Sequence, residues 1–479
     1  MGEAGATDRR GFLKAVGAGI GGLVIGGLAG YLGGQTTVQP ETITRTVTTT
    51  VGGAAQTVTK TVTVGDTARP TPTTPIKLGS QNFFTGPGAL LGLPSAYGTR
   101  MGVKEINDAG GIMGRQIELL ERDEGPSDAT LREFRKLVLE DKIDYYIGLI
   151  SSGNTPTVGP EAEEQKILTL FVDGCTDILF ERAVPNPFYI FRITNIQSSD
   201  AITAAVGTMK LLVERGLIPE NPKITGIHPD YAYGRLIHDF YNTAMKKMLP
   251  DAEILDQQFP GLFKVTDFSA QITSMLQQNA DLAVVSLWGG DYVNWYKQAI
   301  GFGLFDKMKV VTTLTFGGSP QAVGKDHPDG HVGGVHANYW FTNPDWELWP
   351  VNGEFVKKFS EMWNEYPSFE AEGAYVGMQM LKDTIEIAAQ EVGGYPEDEE
   401  VVPVMERYST YGPAGYIQVR KQNHQCYKNA VIGVTGESPE YDFEVMSEVL
   451  VLPIEKVSAP AEYPTSKSWL DSWPEGYKP

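Results

Sequence analysis

Two short polar loops, Ser151-Ser152-Gly153-Asn154-Thr155 and Asp173-Gly174-Cys175-Thr176, each follow a short apolar run. Hydroxyls and free backbone N–H groups in such places suit a carboxylate or another small polar head, which can collect several donors at once. Further along, Tyr231-Ala232-Tyr233-Gly234 follows the run Lys223 to His228, and Trp288-Gly289-Gly290-Asp291 follows Leu282 to Leu287, so aromatic rings stand at equivalent turns. Ser152 has no neighbour readable as a general base. No Gly-x-Ser-x-Gly elbow occurs, and Gly317-Gly318-Ser319 lacks the lysine of a phosphate loop. The chemistry is therefore binding without turnover: no enzyme activity and no cofactor are expected. His327, His331 and His336 lack the i, i+4 spacing that sets two imidazoles on one helical face; their Pro-Asp-Gly context reads as solvated loop, so no metal site is assigned.

Loops of this kind need a scaffold, and strands alternate with helices from Ile76 onward. Ile76 to Phe84 reads as a strand and Thr85 to Gly88 as a turn. A helix starts near Pro94-Ser95 with Ala96, Thr99, Val103 and Ile106 on one face, and Gly110-Gly111 stops it. Strands are expected at Gln116 to Leu120, Tyr145 to Ile150 and Ile167 to Phe171. A second series runs from Lys223 to Thr313, after a polar crossing segment at Asn195 to Asp200. The pattern predicts an α/β protein of two doubly wound, Rossmann-like lobes joined by a hinge of crossing segments, with ligand bound outside the carboxyl ends of the strands. Lobe 1 is expected at 76–195 with about 341–408, lobe 2 at 196–340 with about 409–457, and a C-terminal tail at 458–479.

Composition narrows the partners. At 479 residues and 41% hydrophobic, the chain needs two cores. A net charge of -20 without a clustered Lys/Arg run argues against nucleic acid, and the acidic run Glu397 to Glu400 reads as a solvated loop. Two cysteines, Cys175 and Cys426, exclude a disulfide framework while leaving one bridge open. Trp340, Phe341, Trp346 and Trp349 read as structural packing. Thr7-Asp8-Arg9-Arg10-Gly11-Phe12-Leu13-Lys14 before the uncharged run Ala15 to Gly34 resembles a twin-arginine export signal. Neither an Ala-x-Ala site nor a cysteine open to lipidation follows, so residues 1–34 are expected to stay as a membrane anchor, with the rest outside the cytoplasm. Residues 35–75, with sixteen Thr in forty-one, read as a stalk, either a flexible coil or, by Thr/Val alternation, extended strand.

Five segments together carry a family resemblance: T-G-P-G-A-L-L-G (85–92), I-N-D-A-G-G-I-M-G-R (106–115), I-G-L-I-S-S-G-N-T (147–155), D-Y-A-Y-G (230–234) and T-Y-G-P-A-G-Y-I-Q-V-R-K-Q-N-H-Q (410–425). In these the chain resembles the extracytoplasmic substrate-binding proteins of ABC importers for branched-chain amino acids, amides and related hydrophobic ligands. The resemblance implies a type I periplasmic-binding-protein fold, a small-molecule ligand, and permease and ATPase subunits as partners. It implies that Ser152, in the loop with Ser151, holds the ligand head. The next loop would contribute Gly174 and Thr176 if one residue is inserted, or Asp173 and Cys175 if none is. Tyr233, with Tyr231 beside it, and Trp288 would close from the second lobe. Two departures stand out: Leu91 replaces a tyrosine, and the acid that pairs with a ligand ammonium falls near Leu314-Thr315. Unless Asp173 or Asp291 substitutes, a buried ammonium would lack a counter-ion at a cost of several kcal/mol, about the penalty for an unpaired ion. That leaves amide, urea or aromatic-acid ligands open, and a sensory module of the same fold is the alternative to a transport receptor.

Overall fold

The computed structural model describes residues 42–51, 54–63, 69–314, 320–336 and 349–479. The expected export signal at 1–34, Gly317-Gly318-Ser319, Thr315, Trp340, Phe341 and Trp346 lie outside these. The chain divides into two units after Thr67. In the first, β1 (Thr42–Val51) pairs antiparallel with β2 (Ala54–Thr63), from Thr42 opposite Thr63 to Val51 opposite Ala54. Strand is the state that alternating Thr and Val favour, and here it prevails over coil. No helix among the described residues is long and apolar enough to cross a membrane.

The second unit is built on two sheets. The first joins β3 (Ile76–Asn82), β4 (Ile117–Asp123), β5 (Tyr145–Gly148), β6 (Leu168–Phe171) and β7 (Ile190–Arg192) in the order 4-3-5-6-7, all parallel. The second joins β8 (Lys223–Ile227), β9 (Glu253–Gln258), β10 (Leu282–Val285), β11 (Lys309–Thr312) and β12 (Val332–Val335) in the same sense, 9-8-10-11-12. β5, β6 and β10 are buried along their whole length, as parallel strands with helices on both faces must be. In each sheet the strand order reverses between the first strand and its two neighbours. The reversal opens a crevice at the carboxyl ends, beside β3 and β5 in one lobe and β8 and β10 in the other.

Both sheets end in antiparallel strands from the C-terminal part of the chain. β13 (Ser409–Gly412), β14 (Gly415–Arg420) and β15 (Gln425–Tyr427) extend the first sheet next to β7, while β16 (Ala430–Gly436) and β17 (Val445–Leu452) extend the second next to β12. Residues 409–427 thus belong with the first lobe, where the sequence reading had placed them in the second. Periodicity marks a strand but not which sheet edge accepts it. The acidic run at 397–400 is also more ordered than a solvated loop. It opens helix Asp398–Met405 through a reciprocal capping box of Glu397 and Glu400, and both acids pair with Arg69. Residues after 458 are no loose tail either. Ser466, opening helix Ser466–Asp471, donates its hydroxyl to Asp177 (2.6 Å) and its N–H to Glu181 (2.6 Å), and Lys247 donates to the carbonyls of Asp471 (2.8 Å) and Trp473 (2.7 Å). The segment therefore clasps Asp177 and Glu181 of one lobe and Lys247 of the other.

Asn195 ties the hinge. Its amide donates to the carbonyls of His336 (2.8 Å) and Lys428 (3.0 Å), and its Oδ1 accepts the Lys428 N–H (3.0 Å). These three residues lie just past β7, β12 and β15, where the chain leaves one sheet for the rest of the fold. Asn195→Ala removes three buried hydrogen bonds at about 1 kcal/mol each, so urea denaturation is expected to report a loss of about 2–4 kcal/mol. A loss below about 0.5 kcal/mol, the size of an ordinary surface substitution, would mean that the hinge is held elsewhere.

Candidate functional site

The first polar loop is shaped by a carboxylate beneath it. Glu124, just past β4, accepts the backbone N–H groups of Ile150 and Ser151 (both 2.8 Å) and the Asn154 amide (2.7 Å). Burial pushes its carboxyl up to about 7 against these three donors. Leu149 enters the loop in the left-handed region at φ 69°, a costly conformation for a branched side chain, and is fully buried. The result is a tight turn in which Ser151 and Ser152 are buried at the cleft and the Ser152 hydroxyl lies 3.7 Å from Cys175 Sγ.

The second loop hangs from Arg192, the end residue of β7. Its guanidinium is fully buried and donates to the carbonyls of Gly174 (3.0 Å) and Thr176 (2.7 Å) and to Gln425 Oε1 (2.7 Å). Gly174 sits at φ 61°, and a Cβ there would fall 2.3 Å from Thr155 Cγ2, so only glycine fits. The Thr155 hydroxyl donates to the same Gly174 carbonyl, and the Thr176 hydroxyl faces the Ile178 N–H. Gly174 and Thr176 thereby spend their polar atoms on the scaffold. Cys175 Sγ faces the Ser152 hydroxyl, and Asp173 Oδ1 lies 3.7 Å from His336 Nε2. Both thiols, Cys175 and Cys426, are buried and unbridged, and burial pushes the Cys175 thiol up to about 11.

The opposing wall comes from the second lobe. The Tyr231 hydroxyl accepts the Trp288 indole N–H (3.0 Å), and the Tyr233 hydroxyl pairs with Thr313 (2.8 Å). Burial holds both phenols well above their ordinary range, with Cys175 adding to it at Tyr231 and Asp200 at Tyr233, so both rings lie within electrostatic reach of the cleft floor. The lobes are closed on each other. Phe83 packs against Trp288 and Phe263 at 6.3 Å between ring centres, and the Gly290 N–H donates to the Pro87 carbonyl (3.0 Å). Leu91 is buried within helix Ala89–Asp108.

Between the walls the floor is acidic. His336 Nδ1 lies 2.6 Å from Asp200 Oδ2, and Nε2 lies 3.7 Å from Asp173 Oδ1. Burial alone would lower the imidazole, but Asp200 and Cys175 hold it well above its ordinary range. Asp173 is pushed up to about 6 by burial, and Glu370, in the first turn of helix Phe369–Val392, is raised well above the usual range by burial and by Asp173. Neither Glu370 oxygen has a hydrogen-bond partner among the described residues. Leu314 is apolar as expected, yet three carboxyl groups, of Asp173, Asp200 and Glu370, reach the floor, where burial favours the neutral form of each and most strongly that of Glu370. Asp291 does not join them, since its carboxylate caps the Phe263 N–H (2.8 Å).

The histidines correct the sequence reading. His327, His331 and His336 are 3%, 4% and 1% exposed, not solvated. The turn before β12 folds against the second sheet: His327 Nε2 pairs with the Tyr292 hydroxyl (2.7 Å), and His331 Nδ1 accepts the Val310 N–H (3.1 Å). Glu124, Arg192, Asn195 and Glu370 were not singled out by the sequence as site-forming. An arginine inside the apolar strand Ile-Phe-Arg was the one available signal, since a buried guanidinium must collect acceptors.

Residues 75–435 match the family model described as periplasmic binding protein. Among curated relatives, Leu/Ile/Val-binding protein homolog 7 of Brucella suis is 27% identical over 226 residues, 47% of this chain and 55% of that protein. The chain thus spans about half the length of these first relatives. Homolog 4 of Brucella melitensis is 23% identical over 365 residues, 74% of this chain and 82% of that protein. Among solved structures, a solute binding protein of an ABC transporter from Rhodopseudomonas palustris, in complex with 3,4-dihydroxybenzoic acid, superimposes with a TM-score of 0.68 at 19% identity, covering 81% of this chain and 99% of that one. The branched-chain amino acid transporter substrate binding protein of Streptococcus pneumoniae, in complex with isoleucine, gives 0.65 at 20% identity, covering 79% and 99%. With two parallel-dominated lobes closed over a polar cleft and a family match across most of its length, the chain belongs to the periplasmic binding protein family.

Proposed function

We propose that this protein is an extracytoplasmic solute receptor that captures a small ligand between its lobes and delivers it to the permease and ATPase of an ABC importer. The ligand is a branched-chain or hydrophobic amino acid or a related compound. Its polar head meets Ser151, Ser152 and the Asp173–Cys175 edge, while Tyr231, Tyr233 and Trp288 cover it and Leu91 supplies apolar surface. The observation that carries the reading is the pairing of two polar loops past β5 and β6 of one sheet with the aromatic turns past β8 and β10 of the other, with buried polar atoms of Asp173 and Glu370 unpartnered among the described residues. The Asp173 carboxyl, the floor group that titrates closest to neutral pH, supplies an acceptor for the ligand's head in place of the missing acid near Leu314. Export by the twin-arginine segment and anchoring through residues 1–34 belong to the same proposal.

A thermal-shift screen of the full chain in EDTA tests it, with leucine, isoleucine, valine, short amides, urea and hydroxybenzoates. Ligand at about 100 times Kd is expected to stabilise by about 2.7 kcal/mol and to be recovered unaltered. A hydrolysed ligand would overturn the receptor reading. Stabilisation by hydroxybenzoates and not by amino acids would replace the amino-acid class with aromatic acids, the class bound in the Rhodopseudomonas palustris structure.

A further inference from the structure

We propose that Asp173, Cys175 and His336 form a binding site for a divalent transition-metal ion, with zinc the best match, in the floor of the cleft. The inference rests on the cleft being the ligand site, and it names the cation that the acidic floor takes. One carboxylate oxygen, one thiol sulfur and one imidazole nitrogen lie within 4.8 Å of one another. Tetrahedral zinc with bonds of about 2.0–2.3 Å sets its ligands roughly 3.3–3.8 Å apart, so the three atoms need to draw in by at most about 1.5 Å. The 3.7 Å between His336 Nε2 and Asp173 Oδ1 already fits.

Two further observations point to a ligand. His336 Nε2 and Asp173 Oδ1 are buried and have no hydrogen-bond partner among the described residues, although both face the cluster. And Asp200 Oδ2 stands 2.6 Å from His336 Nδ1, the carboxylate–imidazole arrangement that leaves the other nitrogen free for a metal and fixes its direction. The donor set, one soft sulfur with one imidazole and one carboxylate, matches zinc and not magnesium or calcium, which take oxygen alone.

The placement also gives the ion a role. Asp173 and Cys175 follow β6 in the first lobe, whereas His336 follows β12 in the second. A bound ion would therefore join the lobes, with one position of a tetrahedral shell left for a small ligand. On binding, the Cys175 S–H and His336 Nε2–H bonds break as the S–metal and N–metal bonds form, and both protons leave to solvent with no change of oxidation state.

The full chain, stripped of metal by chelator and dialysed, tests this with zinc and cobalt. One zinc per chain by elemental analysis is expected, and cobalt should produce a thiolate charge-transfer band in the near ultraviolet. Asp200→Asn keeps all three ligands and is expected to weaken zinc binding 10- to 100-fold. Cys175→Ser should abolish the cobalt band while Cys426→Ser retains it. Wild-type protein with no bound zinc and no cobalt band overturns the proposal without touching the receptor reading, which is scored separately by organic ligands in EDTA. A cobalt band that survives Cys175→Ser overturns it as well.

Discussion

Glu124→Gln is expected to destabilise the protein and disorder the serine loop, with a penalty that depends on pH in a definite direction. The wild-type carboxylate accepts three N–H groups from Ile150, Ser151 and Asn154. Glutamine offers one acceptor and turns an NH2 group toward donors, leaving at least one buried donor unpaired at about 1–3 kcal/mol. The folded carboxyl titrates at about 7, above the 4.5 of an exposed one. A raised acid contributes its full stability below pH 4.5 and loses it as pH rises through 7. Glutamine does not titrate. The stability gap between wild type and variant should therefore be widest near pH 4.5 and shrink by on the order of 3 kcal/mol by pH 8. Urea denaturation at several pH values reads this directly. A gap that widens toward pH 8 would mean that the three donors outweigh burial and hold the carboxyl low.

The particulars explain what the sequence could and could not reveal. Short, mainly apolar runs locate β5, β6 and β10, because parallel strands buried on both faces read as nearly continuous apolar stretches. The loops carrying Ser152, Asp173, Tyr233 and Trp288 were legible for the same reason, since a doubly wound sheet leaves its carboxyl ends free. Long-range partners were not. Whether β13–β15 pair with β7 or with the second sheet depends on contacts more than 200 residues apart, such as Arg192 to Gln425, that leave no local pattern. His336 looked solvated because a turn signal precedes it, yet it ends a buried strand next to Asp200, which is 136 residues earlier in the chain. Polar residues that hold a site from behind are chosen by tertiary partners, so spacing does not announce them.

Arg192→Leu is expected to have the largest effect of any single change in the cleft. The guanidinium binds two carbonyls of one loop and a side chain of β15, and its cationic face lies 5.2 Å from the Phe180 ring. Leucine fills much of the volume but leaves the Thr176 carbonyl and Gln425 Oε1 without their Arg192 donor, at about 1–3 kcal/mol each, and takes one of three donors from the Gly174 carbonyl, which keeps the Thr155 hydroxyl and the Thr176 N–H. It also removes a positive charge that, with His336, favours ionised Asp173. A loss of about 4–6 kcal/mol follows, near the top of what single substitutions cost. Because the loop that Arg192 suspends covers Cys175, a second readout separates local from global damage. In the wild type both thiols are buried and should resist a thiol reagent in native buffer, whereas in the variant Cys175 should react while Cys426, in a strand interior, stays slow. Arg192→Lys keeps the charge but not the planar fork, so it can reach one acceptor and not three; it should recover less than half of the lost stability. Equal recovery by lysine would show that charge, not the forked geometry, holds the loop, and the binding edge formed by Asp173 and Cys175 would then owe its position to electrostatics alone.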